Sequence, residues 1–426
     1  MEQNTVSFIA YHRPSNKYSL NVIVGALETV LQPQDGEIIF VSKEEALVSA
    51  VRDAQNRRHK VVVGWSVHSP QFVETVAQLS ALRLVLTNDQ VIHLAGGTHP
   101  TAEPEQTLRA GFDAVAIGEG EKMIVEFVTR LLRGEDLFQT KGIAYLSNGK
   151  YISNGFGDRV DLNDYPPFAP RHGRFNPIEI TRGCVYACGF CQTPFMFKAR
   201  FRHRTVENVT HWVKLMKSRG LMDIRFISPT AFSYGSSDTS ANLDKVEGLL
   251  DSVRTVLGTK GRIFLGTFPS EVRPEHISSR ALFMLKKYVN NDNLVIGGQS
   301  GSQRVLNLCH RGHTVNDIIS AVKISLEVGF IPNVDFIFGL PGEDQKDLQA
   351  TLKLMEVLID MGARIHGHTF MPLPGTPFKN AQLGVIPRDT LKKLTRLASQ
   401  GKLYGDWKKQ VSIAKTLTNL RKPKRP

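Results

Sequence analysis

The sequence predicts an α/β protein made of two successive domains in which strands and helices alternate. Three observations carry this reading. Short apolar runs alternate with helical periodicity from Val6 to Ile117, and the same alternation resumes from Pro177 to Phe370. Between them lies a polar, proline-rich stretch, Asp161 to Pro170. A chain of 426 residues is long enough for two or three domains, each with its own core.

In the first domain, strands are expected at Val6–Tyr11, Glu37–Val41, Lys60–Trp65, Val91–Ala95 and Ala114–Ile117. Helices are expected at Ser19–Gln32, Lys43–Asn56, Pro70–Ala81 and Pro104–Ala110. The third strand is apolar throughout its centre, as a parallel strand covered on both faces should be. Asn148-Gly149, between two short β-rich runs, signals a type I′ hairpin. In the second domain, strands are expected at Pro177–Thr181, Asp223–Ser228, Ile263–Phe268, Leu294–Gly297, Asn333–Phe338 and Arg364–Phe370, with helices between them. The boundaries that follow are 1–155, a linker at 156–176, 177–378, and a small basic helical region at 379–426. Within that region Leu391–Ala398 and Trp407–Leu420 are candidate lid or docking helices.

With 41% hydrophobic and 22% charged residues, the composition is that of an ordinary globular protein. No apolar run reaches the roughly 20 residues of a membrane helix, and Met1 to Ser15 has no secretory pattern, so a cytoplasmic protein is expected. The net charge of +13 is local: residues 379–426 hold thirteen Lys/Arg against two Asp, leaving +2 for the rest. A tail ending Arg421-Lys-Pro-Lys-Arg425 suits an acidic partner such as RNA, an anionic membrane surface or a protein, or is simply a solvated terminus. Nucleic acid is not the favoured partner.

The chemistry is concentrated in Cys184-Val-Tyr-Ala-Cys188-Gly-Phe190-Cys191, directly after the first strand of the second domain. Soft thiolates at this spacing suit three irons of a [4Fe–4S] cube, leaving the fourth iron open to an external ligand. Structural zinc is the alternative, but it wants four closed ligands, and Cys309 is the only other cysteine. Cys309 itself reads as a buried apolar residue. Four cysteines, three of them crowded together, exclude a disulfide framework. A thiolate-bound open cluster calls for a reducing, anaerobic compartment.

The stretch CVYACGFC resembles the CxxxCxΦC signature of radical S-adenosylmethionine (SAM) enzymes, with Phe190 as the aromatic position near adenine. The resemblance implies a cluster held by Cys184, Cys188 and Cys191, SAM chelated on the open iron, and an external low-potential electron donor. SAM would be cleaved to a 5′-deoxyadenosyl radical that takes a hydrogen atom from substrate. It also implies a partial (βα)6 barrel whose strand ends form the active-site rim. The strand-end stretches there are Ser228-Pro229-Thr230, Pro269-Ser270-Glu271-Val-Arg273, Gly298-Gln299-Ser300-Gly301-Ser302 and Phe338-Gly339-Leu340-Pro341-Gly342-Glu343. Glu271, Ser270 and Gln299 suit the ribose and amino groups of SAM, and Arg273 suits its carboxylate. Pro229 and Ser300 belong to the same set, and the resemblance places Phe338 and Gly339 near adenine. His310-Arg311-Gly312-His313-Thr314 completes a GQSGS…RGHT pattern of the same subfamily. His366 and His368, at the sixth strand's end, read either as substrate-facing or as structural histidines.

The first domain is similar to the Rossmann-like cobalamin-binding domain that precedes the radical SAM domain in one large subfamily. Ser66-Val-His68 stands where that family has SxL, with twenty-seven residues between it and Gly96-Gly97. Its DxHxxG motif is reduced to Ala10-Tyr-His12-Arg-Pro-Ser15, so His12 lacks the Asp partner of a lower cobalt ligand. The resemblance implies a cobalamin rim formed by His12, Ser66, His68, Gly96, Gly97, Thr98, His99, Pro100, Gly118, Glu119 and Gly120, where ligands of open α/β sheets sit. The activity implied is cobalamin-dependent methylation of an unactivated carbon, with a protein or peptide as the expected substrate. Family members of this layout C-methylate residues of methyl-coenzyme M reductase, and a glutamine Cα-methyltransferase is the specific expectation. The alternatives are a radical SAM reaction without methyl transfer, such as cyclisation or cross-linking of lipids or tetrapyrroles, and a non-catalytic cobalamin or cluster sensor that binds nucleic acid through the basic tail.

Overall fold

The computed structural model describes residues 4–86 and 91–420, and the chain divides into two compact units, Met1–Asn176 and Pro177–Pro426. The basic run Arg421–Arg425 lies outside the described residues.

The first unit runs β1 (Val6–Tyr11), α1 (Lys17–Leu27), β2 (Gly36–Val41), α2 (Glu44–Asn56), β3 (Lys60–Ser66), α3 (Phe72–Val85), β4 (Val91–Gly96), α4 (Thr98–Ala102), α5 (Pro104–Arg109), β5 (Ala114–Ala116), α6 (Gly120–Arg133), β6 (Ile143–Ser147) and β7 (Lys150–Ser153). The sheet order is β2-β1-β3-β4-β5-β6-β7, parallel through β5 and antiparallel beyond it. The β6–β7 turn places Asn148 and Gly149 both at positive φ, as a type I′ turn requires.

Parallel strands buried on both faces must be apolar along their length, and Val61, Val62 and Val63 are fully buried. The helix α6 has no counterpart in the sequence-based expectations. It is amphipathic, burying Met123, Ile124, Phe127, Val128 and Leu131 at three- and four-residue spacing, and it stops at Gly134 in the left-handed region. These residues join Phe8, Val24, Leu27, Val62 and Leu94 in one core.

The stretch expected as a linker is seated on this unit. Gly25 of α1 lets the Phe168 backbone come so close that a Cβ there would meet its carbonyl oxygen at 2.2 Å. Arg171 donates to the carbonyls of Glu28 and Leu31, and the side chains of Asn21 and Asn176 are hydrogen-bonded at 2.8 Å.

The second unit runs β8 (Ile178–Glu179), β9 (Thr181–Arg182), α7 (Thr193–Met196), β10 (Arg202–His203), α8 (Val206–Ser218), β11 (Asp223–Ile227), α9 (Leu243–Leu257), β12 (Arg262–Phe264), α10 (Ser279–Tyr288), β13 (Asn293–Gln299), α11 (Gln303–Leu308), α12 (Val315–Val328), β14 (Ile331–Phe338), α13 (Gln345–Met361), β15 (Arg364–Thr369), α14 (Arg388–Ser399), β16 (Leu403–Tyr404) and α15 (Trp407–Leu420). Two parallel sheets, β12-β11-β8 and β13-β14-β15-β16, are linked by the bridges Ser228↔Ser270 and Val272↔Ile296. The third strand is shorter than expected because the chain turns at Gly266, at positive φ, and pairing resumes only at Ser270. The first strand is split, and β9 pairs antiparallel with β10.

The C-terminal region is not wholly helical: β16 adds a parallel strand beside β15, pairing Ile365 with Leu403 and His366 with Tyr404. Two helix starts of this unit are capped by side chains in reciprocal boxes, Thr314 and Asp344 each pairing with the aspartate three residues on. Among the described residues no helix is long and apolar enough to cross a membrane.

Candidate functional site

The rim of the second unit encloses a cavity of about 380 Å³. The loop after the first strand brings Cys184, Tyr186, Cys188, Phe190 and Cys191 to its wall. That loop is pinned from two sides: Gly189 donates its N–H to the carbonyl of Cys309 at 3.0 Å and accepts from the N–H of Phe378 at 3.1 Å. A Cβ on Gly189 would lie 2.7 Å from the Phe378 ring. Gln192 adds a bond to the Pro374 carbonyl at 2.8 Å. Cys309 is buried beside Val305, Leu340 and Phe370, as expected of an apolar residue.

The three cysteines suit a cluster better than one ion. Cys184, Cys188 and Cys191 supply three thiolates, and the remaining cysteine, Cys309, is buried in an apolar cluster, so a fourth thiolate for a closed zinc site is missing. A buried cation stands beside them, with Arg311 Nη1 3.3 Å from Cys188 Sγ and Nη2 donating to the Gly297 carbonyl at 2.7 Å. Burial pushes the Cys184 thiol up to about 12 and raises Cys191 as well. Assembly of a cluster here therefore releases protons.

Of the residues assigned to SAM, Phe190, Pro229, Glu271, Arg273 and Gln299 line the cavity. Gln299 sits at a bulge of β13 with φ of +72°, a strained conformation for a residue with a side chain. A Cβ on Gly297 would lie 2.9 Å from both Gln299 Nε2 and Arg311 Nη2, so a glycine is needed for these side chains to converge. Burial, then the Asp335 carboxylate, raise the pKa of Glu271 against the lowering pull of Arg311. Its side chain is open to the cavity, so that shift is felt in full only when the cavity is filled. Arg273 is largely engaged by the protein: Nε pairs with Glu275 at 2.5 Å, Nη2 donates to the Arg311 carbonyl, and the guanidinium lies 3.5 Å from the Tyr186 ring centre.

Four of the assigned residues do not line the cavity. Ser270 is spent in a turn, donating to Thr267 O and accepting from Gly266 N. Ser300 Oγ accepts from Ser302 N. Phe338 is fully buried, because strand alternation sends Asp335 and Ile337 to the cavity and Phe336 and Phe338 away from it. Gly339 N is bonded to Glu343 at 2.7 Å. Conversely, Tyr186, Thr193, Arg311 and Asp335 line the cavity without having been assigned to it, and of the two histidines offered as substrate-facing or structural, His368 lines it. An acidic residue inside the apolar run Val334-Asp335-Phe336 was the available signal for one of them.

In the first unit the cobalamin-assigned residues lie along the carboxyl ends of the parallel strands. Ser66 pairs with Gly96, and its hydroxyl meets that of Ser19 at 2.7 Å. Gly97 has φ of +107°, and a Cβ there would meet the Val67 carbonyl oxygen at 2.8 Å. His68 Nδ1 is 3.4 Å from Thr98 Oγ1. His99 and Pro100 turn inward and are buried, His99 stacking on Phe72 at 3.9 Å. Gly118 N–H donates to the Thr101 hydroxyl oxygen at 3.1 Å, and Glu119 and Gly120 begin α6. His12 follows β1 with its ring edge-on to Phe40 at 5.5 Å. Burial, then Arg174, lower its pKa. Ser66 also lines a small cavity of about 40 Å³ with Tyr11, Asn16 and Trp65. This glycine-bearing rim, open to close backbone approach, fits a large planar cofactor.

Comparisons with known proteins agree with both halves. The radical SAM superfamily model matches residues 178–355, and the B12 binding domain model matches residues 26–128. An uncharacterized protein of Methanopyrus kandleri is 22% identical over 400 residues, covering 79% of this chain and 72% of the relative. An uncharacterized methyltransferase of Pyrococcus horikoshii is 28% identical, covering 68% of this chain and 62% of the relative. The tRNA-2-methylthio-N(6)-dimethylallyladenosine synthase of Buchnera aphidicola is 28% identical, covering 61% and 59%. The chain thus spans about three fifths to three quarters of these relatives.

Among solved structures, the radical SAM methyltransferase TsrM of Kitasatospora setae, with cobalamin and a [4Fe-4S] cluster bound, superposes with a TM-score of 0.65 at 15% identity, covering 93% of this chain and 78% of that one. The cobalamin-dependent radical enzyme OxsB, with aqua-cobalamin and SAM bound, gives 0.66 at 15% identity, covering 94% and 62%. Fold, cysteine cavity and glycine rim agree with the two family models: residues 178–355 form a domain of the radical SAM superfamily, and residues 26–128 form a B12 binding domain ahead of it.

Proposed function

We propose that the protein is a C-methyltransferase that places a methyl group on an unactivated sp³ carbon, and that its substrate is a protein residue. The observation that carries this reading is the presence in one chain of a B12-binding domain and a three-cysteine cavity. Cys184, Cys188 and Cys191 would hold a [4Fe–4S] cluster, which would supply the electron that cleaves SAM, and cobalamin held on the glycine rim would supply the methyl group. The net reaction balances when a substrate C–H, two SAM and two electrons from an external low-potential donor give C–CH₃, S-adenosylhomocysteine, methionine and 5′-deoxyadenosine.

The chain's own residues bind, orient and exclude. Glu271 and Gln299 present polar atoms to SAM in the cavity, and Phe190 and Ile337 give it apolar wall. Arg311 offsets the negative charge of the thiolates. Glutamine Cα of methyl-coenzyme M reductase is the specific candidate, taken from the family resemblance. A cytoplasmic location and an acidic partner for the C-terminal region belong to the same proposal.

The relatives named as methylthio synthases favour a second reading, methylthio transfer to RNA. It needs sulfur in addition to carbon, and beyond the three cavity cysteines the chain has only Cys309, which is buried in an apolar cluster. The experiment is anaerobic turnover of the reconstituted protein with trideuteromethyl SAM and a glutamine-bearing peptide of methyl-coenzyme M reductase. Both S-adenosylhomocysteine and 5′-deoxyadenosine should form, with one labelled methyl on the peptide. 5′-Deoxyadenosine alone, without S-adenosylhomocysteine, contradicts methyl transfer.

A further inference from the structure

Asp335, on β14, is 4% exposed and faces the cavity. Its Oδ1 is bracketed by two histidines of β15, His366 Nδ1 at 2.8 Å and His368 Nε2 at 4.0 Å. The rings of His366 and His368 meet edge-on at 4.2 Å, and His366 stacks flat on Tyr404 of β16 at 4.6 Å. Neither histidine is used by the cluster or SAM reading above.

A residue of the C-terminal helix α15 determines how this group is protonated. Gln410 Oε1 accepts the Thr369 backbone N–H at 2.7 Å, and a backbone N–H can only donate, so the orientation of the amide is fixed. Its Nε2 then faces His368 Nδ1 at 3.4 Å as a donor. His368 must accept there and carry its hydrogen on Nε2, the nitrogen facing Asp335. Burial, as the largest effect, lowers the pKa of His368, in keeping with a neutral ring. The start of α15 is tied to the same strand, because Thr369 Oγ1 donates to the Trp407 carbonyl at 2.8 Å.

Asp335, His366 and His368 offer ligand atoms all within 4.8 Å of one another, close enough for a metal ion. The hydrogen that Gln410 imposes on His368 Nε2 removes the lone pair an ion would need. What remains is a carboxylate whose Oδ1 is hydrogen-bonded to His366 Nδ1 at 2.8 Å and faced by His368 Nε2 at 4.0 Å, and whose Oδ2 has no hydrogen-bond partner among the described residues. We propose that Asp335, supported by His366 and by His368 in the tautomer set by Gln410, is the substrate subsite of the cavity and takes a group that presents N–H donors, an amide or an ammonium. An anionic group at Asp335 is disfavoured by like charge, because the cavity's cations are engaged elsewhere, Arg273 by Glu275 and the Arg311 carbonyl and Arg311 by Cys188 and the Gly297 carbonyl. Asp335 touches substrate; Gln410 is a positioning residue that acts through His368. The proposal rests on the reading of this cavity as the site of radical chemistry.

The test starts with uncoupled SAM cleavage by the cluster-loaded wild-type protein under reduction. If 5′-deoxyadenosine does not form, the reading of the cavity fails before the subsite is reached. With cleavage in hand, ¹⁵N-histidine NMR in the oxidised, diamagnetic cluster state should show His368 as the Nε2–H tautomer. Gln410→Glu, which can only accept at that position, should reverse it to Nδ1–H. An Nδ1–H tautomer in the wild type overturns the proposal.

Binding is then measured with three blocked tripeptides, acetyl-Gly-X-Gly-amide with X as Gln, Lys or Glu. The Gln or Lys peptide should bind at least tenfold more tightly than the Glu peptide, and Asp335→Asn should remove the difference. Preference for Gln over Lys identifies the donor as an amide, and the reverse as an ammonium. Equal binding of all three, or none, overturns the subsite. So does a zinc or manganese ion found by metal analysis in the wild type and lost in His366→Ala.

Discussion

Arg311 Nη1 lies 3.3 Å from Cys188 Sγ, and the same guanidinium is anchored to the Gly297 carbonyl at 2.7 Å. A buried cation thus faces a predicted cluster ligand. At that separation and an effective dielectric of about 20, a unit charge is worth about 5 kcal/mol at most. Arg311→Met should therefore lower the cluster reduction potential by on the order of 100 mV. An EPR-monitored redox titration measures it; a potential unchanged from wild type would show that Arg311 only fills space.

Cys184→Ala, Cys188→Ala and Cys191→Ala should each abolish stable iron incorporation. Cys309→Ala should retain it. Cys309 packs among Val305, Leu340 and Phe370, so its loss should cost about 1 kcal/mol of stability through a small cavity. Iron analysis with denaturant unfolding separates the two effects.

Two adjacent glycines should respond differently. Gly97 holds φ of +107° with its Cβ position 2.8 Å from the Val67 carbonyl oxygen, whereas the Cβ position of Gly96 meets only Ala116 Cβ, at 3.6 Å. Gly97→Ala should cost about 1–3 kcal/mol and weaken cobalamin binding at least tenfold. Gly96→Ala should fold with near-wild-type stability. Visible-spectrum titration with cobalamin and thermal unfolding report both.

His93 is 2% exposed and accepts a hydrogen bond from Trp65 Nε1 at 3.2 Å. Burial, then Arg83, hold its pKa down to about 3. Above the unfolded value of about 6.5 it costs nothing; below it the unfolded chain takes up a proton that the folded chain refuses. Stability should fall by about 1.4 kcal/mol per pH unit from this group as pH drops from 6.5 toward 3. Denaturant titrations at pH 7 and pH 5 should show a smaller loss for His93→Gln than for wild type, and an equal loss would contradict this account.

Much of the fold was legible because its signals are local. The apolar run Val61–Val63 announced a covered parallel strand, Asn148-Gly149 a tight hairpin, and three cysteines in eight residues a metal centre. The helix α6 was hidden behind Gly118 and Gly120, which read as loop although Gly120 is its first residue. The strand β16 is two residues long, too short to show any period, and forms only because β15 offers it an edge. The cavity was half legible. Glu271 and Gln299 were reachable from strand-end position, but Ser270 and Ser300 had already been used by their own turns. Arg311, Asp335 and His368 come from three separate segments, and only tertiary pairing brings them into one cavity.

The most direct measurement is the cofactor content of anaerobically prepared, reconstituted protein offered cobalamin, by metal analysis and visible spectrum. The account predicts about four irons and one cobalamin per chain, as expected for one cube on three thiolates and one B12-binding domain. Full iron loading without cobalamin binding would contradict the methyltransferase reading and leave a radical SAM enzyme of another kind.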